Sequence, residues 1–200
     1  MDAPFTGVEV RAAVRKLANH TAPGADGMPA ELLKASGVPG ICALTRLYNA
    51  IWLSGQVPAS WRQGIVVSVF KSGDTTDCSN YRPLTLLPVI DKLFALLLTG
   101  RLSATVALHD QQYAFRTARG THNALFNLTS VLRCRSADHP TFAVFFDAAK
   151  AYNSVPTELM LSRLVEKGVQ GRLLHCVDRL YANATSRARV DGALSHPFPI

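Results

Sequence analysis

Residues 65–102 read IVVSVFKSGDTTDCSNYRPLTLLPVIDKLFALLLTGRL. The uninterrupted β-branched run at residues 65–70 predicts a strand, and the polar residues 71–80 that follow predict a loop. The apolar run at residues 89–102 predicts a helix. This stretch therefore contains a predicted strand, loop and helix in that order.

Helices are also predicted on both sides of this stretch. Thr6-Gly-Val-Glu9 is a capping box that begins a helix ending near Leu17. Pro29 is expected to begin a second helix that Gly37 ends. Further helices are predicted at residues 41–53, 121–134, 156–166 and 172–181.

Two regions outside the opening stretch predict strands. Residues 141–146 form an apolar run, TFAVFF, and Asp191-Gly192 is a hairpin signal. The second strand of that hairpin is expected to begin at Leu194, yet the sequence stops at Ile200. We therefore expect the chain to be a fragment of a longer protein.

Composition limits the class of protein. The chain has 200 residues, 48% of them hydrophobic and 18% charged, which predicts a sizeable core and excludes global disorder. No apolar run is long enough to span a bilayer, and the N-terminus does not resemble a secretory signal. Four scattered cysteines without metal-ligand spacing predict free thiols in a reducing compartment.

The charge distribution permits a polyanionic partner. The net charge is +7, and arginines concentrate in residues 99–135 and 172–189. Guanidinium groups bind phosphate oxygens in pairs, so these regions are candidate nucleic-acid contacts. Solvated helix faces would have a similar composition, and the sequence leaves both interpretations open.

Residues 145–155, FFDAAKAYNSV, place a carboxylate at the end of a predicted strand. An ionised Asp147 needs a partner if it is removed from water. A bound cation, a nearby base, a helix N-terminus and water are all candidates. Asp147 also suits a purely structural role, because aspartate often caps the turn after a strand.

Four segments occur in an order that resembles a known family. They are APGADGMPAELL at residues 22–33, the segment WRQG at 61–64 continuing through residue 102, QYAFRTARGTHNAL at 112–125 and FFDAAKAYNSV at 145–155. Together they resemble the reverse transcriptase of non-LTR (LINE-type) retrotransposons. The resemblance implies the α+β fold of a right-hand polymerase, in which helices pack with a short antiparallel sheet. It places fingers and the start of the palm at residues 1–140 and a partial palm at residues 141–200.

The resemblance also implies roles for four residues. Asp147 is similar to the first catalytic aspartate, which binds Mg²⁺ in a two-metal site. Lys71 and Arg82 are similar to the fingers residues that bind the triphosphate, and Tyr152 is similar to the residue beneath the sugar. From the residues alone, Lys71 is equally an exposed loop lysine, Arg82 a salt-bridge partner of a nearby aspartate, and Tyr152 a core residue.

The third segment resembles the part of the family that lies along the template. The residues implicated are Gln112, Arg116, Arg119, Gly120 and Thr121. Thr121 could instead cap its helix. The sequence departs from the family pattern at Asn153, where aspartate is usual, and at Ala114, where glycine is usual.

The implied activity is RNA-directed DNA synthesis with an RNA template, a DNA primer and deoxynucleoside triphosphates, at an intracellular, nuclear site of integration. The sequence contains no Asp-Asp pair, so we expect the 200-residue chain to be inactive alone. Two alternatives remain. One is an enzyme similar to a group II intron maturase. The other is a non-catalytic nucleic-acid-binding module.

Overall fold

The computed structural model describes residues 2–135, 140–148 and 151–200, apart from the side chains of Tyr152 and Asn153. These residues form an α+β fold, as the sequence predicts. The helices are α1 (Gly7–Lys16), α2 (Ala30–Ala35), α3 (Gly37–Ser54), α4 (Val89–Thr105), α5 (Thr121–Arg133), α6 (Thr157–Glu166) and α7 (Gly171–Tyr181). Short 3₁₀ helices occupy Ala59–Arg62, Cys78–Asn80 and Ala151–Ser154.

The described strands form one sheet. They are β1 (Gln63–Phe70), β2 (Tyr81–Leu86), β3 (Thr185–Val190), β4 (Ala193–Leu194) and β5 (Phe198–Pro199). The order is β2-β1-β3-β4, and β5 also pairs with β3. Neighbours are antiparallel except β1 and β3, which run parallel. The sheet is therefore mixed, whereas the sequence predicted an antiparallel one.

Local signals explain most helix ends. Thr6 and Glu9 form the capping box at the start of α1, where the Thr6 hydroxyl accepts a hydrogen bond from the Glu9 N–H at 3.2 Å. Gly55 ends α3 with φ 68°, a conformation that glycine adopts without strain. Gly37 follows Ser36, the C-cap residue of α2, with φ 60°, so it ends α2 as predicted, and it is also the first residue of α3.

The core lies between α1, α3, α4 and α7 and is built around aromatic rings. Tyr48, Trp52 and Phe94 are almost completely buried. The ring of Phe94 stacks on Tyr48 at a centroid distance of 5.5 Å, and Phe5 meets Trp52 edge to face at 5.1 Å. Leu173 from α7 has no exposed surface. Residues from the first third and the last fifth of the chain thus share one core.

The sheet joins the same two parts of the chain, since β1 and β3 are neighbours despite lying far apart in sequence. The division into fingers at residues 1–140 and partial palm at 141–200 stays a prediction. None of the helices in the described ranges combines the length and apolar character needed to cross a bilayer.

The strand predicted at residues 141–146 is wrong. These residues form no regular structure, and Phe142, Phe145 and Phe146 are 83–95% exposed. A strand is stabilised by hydrogen bonds to a neighbour, and none of the described strands pairs with this segment. Conversely, β2 was not predicted. It is an edge strand, which explains why it tolerates Pro83, a residue without an N–H.

Candidate functional site

Lys71 and Arg82 lie close together at the open end of the β1–β2 hairpin. Arg82 pairs with Val69 across the hairpin, and Phe70 pairs with Tyr81. The Lys71 N–H donates to the Asn80 carbonyl at 2.8 Å, so the ladder continues one residue beyond β1. Because side chains alternate along a strand, Lys71 belongs to the face that carries Val69 and Arg82. The fold therefore brings these two predicted site residues together.

The loop between them is ordered by its own polar groups. Asp74 Oδ1 accepts hydrogen bonds from the Thr76 N–H and hydroxyl, each at 2.8 Å. Asp77 Oδ1 accepts from the Ser79 N–H at 2.8 Å. Two further bonds cross the loop, from Asn80 Nδ2 to the Asp74 carbonyl and from the Tyr81 hydroxyl to the Thr75 carbonyl, each at 2.9 Å, and they join it to the start of β2.

The hydrogen bonds that Asp74 and Asp77 accept argue against the salt bridge that the sequence left open for Arg82. Hydrogen bonds from the Thr76 backbone and hydroxyl hold the pKa of Asp74 below its usual value, and those from Ser79 do the same for the pKa of Asp77. Both carboxylates thus accept hydrogen bonds from residues of the loop itself. Among the residues that the structure describes, neither Lys71 nor Arg82 forms an ion pair.

Strand β3 adds two arginines to the same face. Arg187 pairs with Ile65 and Arg189 pairs with Val67, and both partners alternate with Val69 along β1. Neither arginine has an ion-pair partner in the described ranges, and both are exposed. We call Lys71, Arg82, Arg187 and Arg189 the basic face of the sheet.

The sequence placed Arg187 and Arg189 in an arginine-rich region but did not predict that they lie on the same face as Lys71 and Arg82. The available signal was their spacing of two, which places both on one face of any strand. The pairing of β3 with β1 joins parts of the chain more than a hundred residues apart, and no local pattern reveals it. The basic face is therefore larger than the Lys71 and Arg82 pair.

The predicted template residues lie in the loop before α5 and at its start. Arg116 Nη1 donates to the carbonyls of His109 at 2.8 Å and Gln112 at 3.4 Å. Arg119 Nη2 lies 3.2 Å from Asp110 Oδ1. One carboxylate thus offsets part of the charge of two arginines, and a net positive charge remains. Their role with a template stays a prediction.

The start of α5 shows which residue caps this helix. Gly120 is the N-cap residue of α5, and its N–H donates to Asn123 Oδ1 at 3.0 Å. Thr121 is the first residue inside the helix, so the idea that its hydroxyl caps α5 is wrong. Ala114 does not have a positive φ, whereas Phe115 and Ala118 do, with φ near 59°. The departure from glycine at Ala114 therefore causes no strain of this kind.

Asp147 does not end a strand, contrary to the prediction. It is exposed and lies within the irregular segment 140–148. The backbone of Tyr152 belongs to a short 3₁₀ helix, but its side chain lies outside the described residues, so its contact with the sugar stays a prediction.

One arginine from the enriched stretch at residues 99–135 has a structural role. Arg101 lies over the ring of Phe5 at 3.9 Å and over that of Trp52 at 4.6 Å. It also donates to the Ala3 carbonyl at 2.6 Å and pairs with Glu9 at 3.7 Å. These contacts attach α4 to the N-terminal segment.

Comparison with known proteins agrees with the resemblance in the sequence. Residues 69–198 match the family described as reverse transcriptase (RNA-dependent DNA polymerase). A probable RNA-directed DNA polymerase from transposon BS of Drosophila melanogaster is 28% identical over 167 residues, covering 80% of this chain and 18% of the relative. The RNA-directed DNA polymerase from mobile element jockey of the same organism is 27% identical over 165 residues, which is 78% of this chain and 18% of that relative.

A third relative comes from another insect. The retrovirus-related Pol polyprotein from type-1 retrotransposable element R2 of Popillia japonica is 25% identical over 188 residues, covering 94% of this chain and 26% of the relative. The chain thus spans about a fifth to a quarter of the length of these relatives. The resemblance to a retrotransposon enzyme is confirmed.

Proposed function

The chain belongs to the reverse transcriptase family, and on that premise we propose that it supplies the phosphate-binding fingers surface of an RNA-directed DNA polymerase. The whole enzyme would add deoxynucleotides to the 3′-hydroxyl of a DNA primer, using an RNA template at a nuclear site of integration. In this proposal the basic face binds phosphate groups of the incoming nucleotide and the nucleic acid.

The observation that carries the proposal is the set of unpaired cations on the basic face. Three strands contribute to it, and the side chains between the cations are aliphatic residues of β1 and β2, such as Val69 and Leu84. An arginine with no carboxylate beside it keeps all its donors available. Charge-assisted hydrogen bonds to phosphate are roughly twice as strong as neutral ones, so such a surface favours polyanions.

The four cations are suited to different parts of the ligand. Lys71 and Arg82 are adjacent at the end of the hairpin, where a compact ammonium and a forked guanidinium can share the oxygens of one triphosphate. Arg187 and Arg189 lie two strands away from Arg82. We propose that they bind phosphates of the nucleic-acid strand instead.

The described residues do not fit a divalent-metal site. No group of three or more histidine, cysteine, aspartate or glutamate side chains among them could hold an ion. Asp147 is a single exposed carboxylate, and a two-metal site needs several oxygen ligands. The role of Asp147 as a ligand of Mg²⁺ therefore stays a prediction.

The proposal predicts where a nucleotide binds this chain. In an NMR titration of the isotope-labelled chain with a deoxynucleoside triphosphate, amide shifts should change mainly at residues 69–83. Lys71→Gln and Arg82→Gln should each weaken binding by about tenfold to a hundredfold, because each removes a charged phosphate contact worth about 1.5–3 kcal/mol.

The matched control is Lys167→Gln, which removes one exposed charge after α6. This variant should bind the nucleotide as the parent chain does. The proposal fails if the shift changes lie in the helical core instead, or if Lys167→Gln weakens binding as much as Lys71→Gln.

A further inference from the structure

The loop that joins β1 to β2 ends in a half-buried polar side chain. Residues 71–79 are exposed, whereas Asn80 at the end of the loop is half-buried. Asn80 is the last residue of the 3₁₀ helix Cys78–Asn80 and immediately precedes β2. A polar side chain that is partly removed from water needs a hydrogen-bond partner, and the partner of Asn80 lies within the same loop.

The amide of Asn80 forms a hydrogen bond across the loop. Its Nδ2 donates to the Asp74 carbonyl at 2.9 Å, which joins residues six apart in the chain. The same carbonyl accepts a hydrogen bond from the Asp77 N–H at 3.3 Å, so it would keep a partner if the amide were removed. The amide therefore does more than satisfy one backbone group, because it connects the first half of the loop to its end.

Gly73 lies directly against the same amide. A Cβ at Gly73 would be 2.7 Å from Asn80 Nδ2 and 3.1 Å from Asn80 Cγ, and the shorter of these distances is too close for a side chain. Gly73 also has φ 100°, a conformation that other residues rarely adopt. Space and backbone conformation thus both favour glycine where the loop contacts Asn80.

The contact between Gly73 and Asn80 lies beside both cations at the end of the hairpin. Gly73 is two residues after Lys71, and Asn80 is two residues before Arg82. The Lys71 N–H donates to the Asn80 carbonyl at 2.8 Å, so these two residues are opposite each other. Opposite residues of an antiparallel pair have side chains on one face, which places Asn80 on the same face as Lys71 and Arg82.

We propose that Asn80 is a positioning residue, which fixes the backbone positions of Lys71 and Arg82 so that both side chains bind one polyphosphate. The inference rests on the proposed function, which assigns phosphate binding to the basic face. It adds that the hairpin end fits a chain of phosphates better than a single phosphate, since two cations at a fixed distance favour a ligand that reaches both. Asn80 acts through the loop backbone, without a contact to the ligand.

The test compares tripolyphosphate with inorganic phosphate in NMR titrations of the isotope-labelled 200-residue chain. Asn80→Ala should weaken binding of tripolyphosphate about three- to tenfold, because ordering a mobile side chain on binding lowers affinity. Asn80→Leu keeps most of the side-chain volume but has no donor, and it should lose as much. Inorganic phosphate needs only one cation, so its affinity should change less than about twofold in both variants.

The matched control is Thr76→Val, which removes one hydrogen bond of the same loop. The Thr76 hydroxyl donates to Asp74 Oδ1 at 2.8 Å, a bond between residues two apart that does not reach β2. Tripolyphosphate should bind this variant as it binds the parent chain. The proposal is overturned if Thr76→Val loses as much affinity as Asn80→Ala, or if either Asn80 variant binds tripolyphosphate as the parent chain does.

A double-mutant cycle shows whether Asn80 acts through the cations. In the Lys71→Gln background only one cation of the pair remains, so Asn80→Ala should change tripolyphosphate affinity less than about twofold there. An equal loss in both backgrounds would mean that Asn80 acts independently of Lys71, as a general loss of folded structure would. That result would overturn the proposal.

Failure of the proposed function would give a different pattern. If Lys71→Gln and Arg82→Gln bind tripolyphosphate as the parent chain does, the proposed function fails, and the role of Asn80 fails with it. If both of these variants lose affinity and the Asn80 variants do not, the proposed function stands and only the role of Asn80 fails.

Discussion

Arg101 and Arg189 are the same residue type in two regions with different physical roles. Arg101 lies in the helical layer, which is the core formed by α1, α3, α4 and α7. It lies over two aromatic rings there, with a carbonyl and a carboxylate as partners. Arg189 lies on the basic face of the sheet, exposed and without an ion-pair partner among the described residues. The helical layer uses charge to hold its own elements together. The sheet leaves charge available to a ligand.

This difference extends to the neighbours of each arginine. The helical layer packs Tyr48, Trp52 and Phe94 with almost no exposed surface. On the basic face, Val69 and Leu84 are 44% and 49% exposed. Substitutions in the helical layer should therefore change mainly the free energy of unfolding, and substitutions on the basic face should change mainly affinity for phosphate.

The largest expected effect is the loss of a core ring. Phe94→Ala should lower the free energy of unfolding by about 3–5 kcal/mol, because it leaves a cavity among Phe5, Tyr48 and Trp61. Val69→Ala should lower it by less than about 1 kcal/mol. Urea denaturation measures both. Equal losses would mean that the sheet face is packed as tightly as the helical layer.

Asp91 should make the stability of the helical layer depend on pH. Burial raises the pKa of this carboxyl to about 7, and one of its oxygens has no hydrogen-bond partner. Between about pH 4 and pH 7 the folded chain holds a proton that the unfolded chain has lost, so stability falls as pH rises and then levels off above pH 7. A shift of about three pKa units corresponds to at most about 4 kcal/mol.

Asp91→Asn should remove this part of the pH dependence. Urea denaturation at a series of pH values should then give a flatter profile between about pH 4 and pH 7 than the parent chain shows. Other carboxyl groups contribute equally to both profiles, so they cancel in the comparison. Identical slopes in the two proteins would contradict the buried, protonated state of Asp91.

Gly24 ties the turn at residues 22–27 to the segment after β2. A Cβ at this position would lie 2.5 Å from backbone atoms of Leu87 and Pro88, which cannot move without shifting the start of α4. Gly24→Ala should therefore cost about 1–3 kcal/mol, as overpacking does. Gly27→Ala is a useful comparison, since its Cβ would meet no atom within 4 Å and any cost comes from its φ of 66°. Thermal melts of the two variants measure the difference, and a smaller loss for Gly24→Ala would refute the close contact.

Substitutions of Arg101 and Arg189 should differ in their effect on the free energy of unfolding. Arg101→Gln should lower the free energy of unfolding by about 1–2 kcal/mol, since it loses cation–π contacts and a hydrogen bond to a carbonyl. Arg189→Gln should change it by less than about 0.5 kcal/mol. Parallel urea titrations test this. If Arg189→Gln is as destabilising as Arg101→Gln, the basic face has a structural role that its exposure does not suggest.

The sequence was most informative where structure depends on neighbouring residues. The capping box at Thr6 marks the start of a helix through local hydrogen bonds, and this prediction is confirmed. The same holds for the Asp191-Gly192 turn, in which both residues have positive φ. Membership of the reverse transcriptase family was likewise evident from ordered motifs.

Features that depend on distant partners were not predictable in this way. The apolar residues 141–146 have the composition of a strand but no described partner, and they form none. Strand β3 brings Arg187 and Arg189 beside β1 through a long-range parallel pairing. The structural role of Arg101 likewise depends on rings nearly 50 and 100 residues earlier in the chain. The enrichment of arginine in the sequence could not by itself distinguish the structural role of Arg101 from the exposed positions of Arg187 and Arg189.

The most direct test of the central claim compares unpaired with paired arginines. Arg163 lies 2.6 Å from Glu166, and Arg179 lies 3.9 Å from Asp178. Binding of a labelled single-stranded RNA should be measured against salt for Arg187→Gln/Arg189→Gln and for Arg163→Gln/Arg179→Gln. The first variant should reduce the salt slope by about 1.4, and the second should leave it nearly unchanged. Equal slopes for the two variants would contradict the claim that the basic face is the phosphate-binding surface.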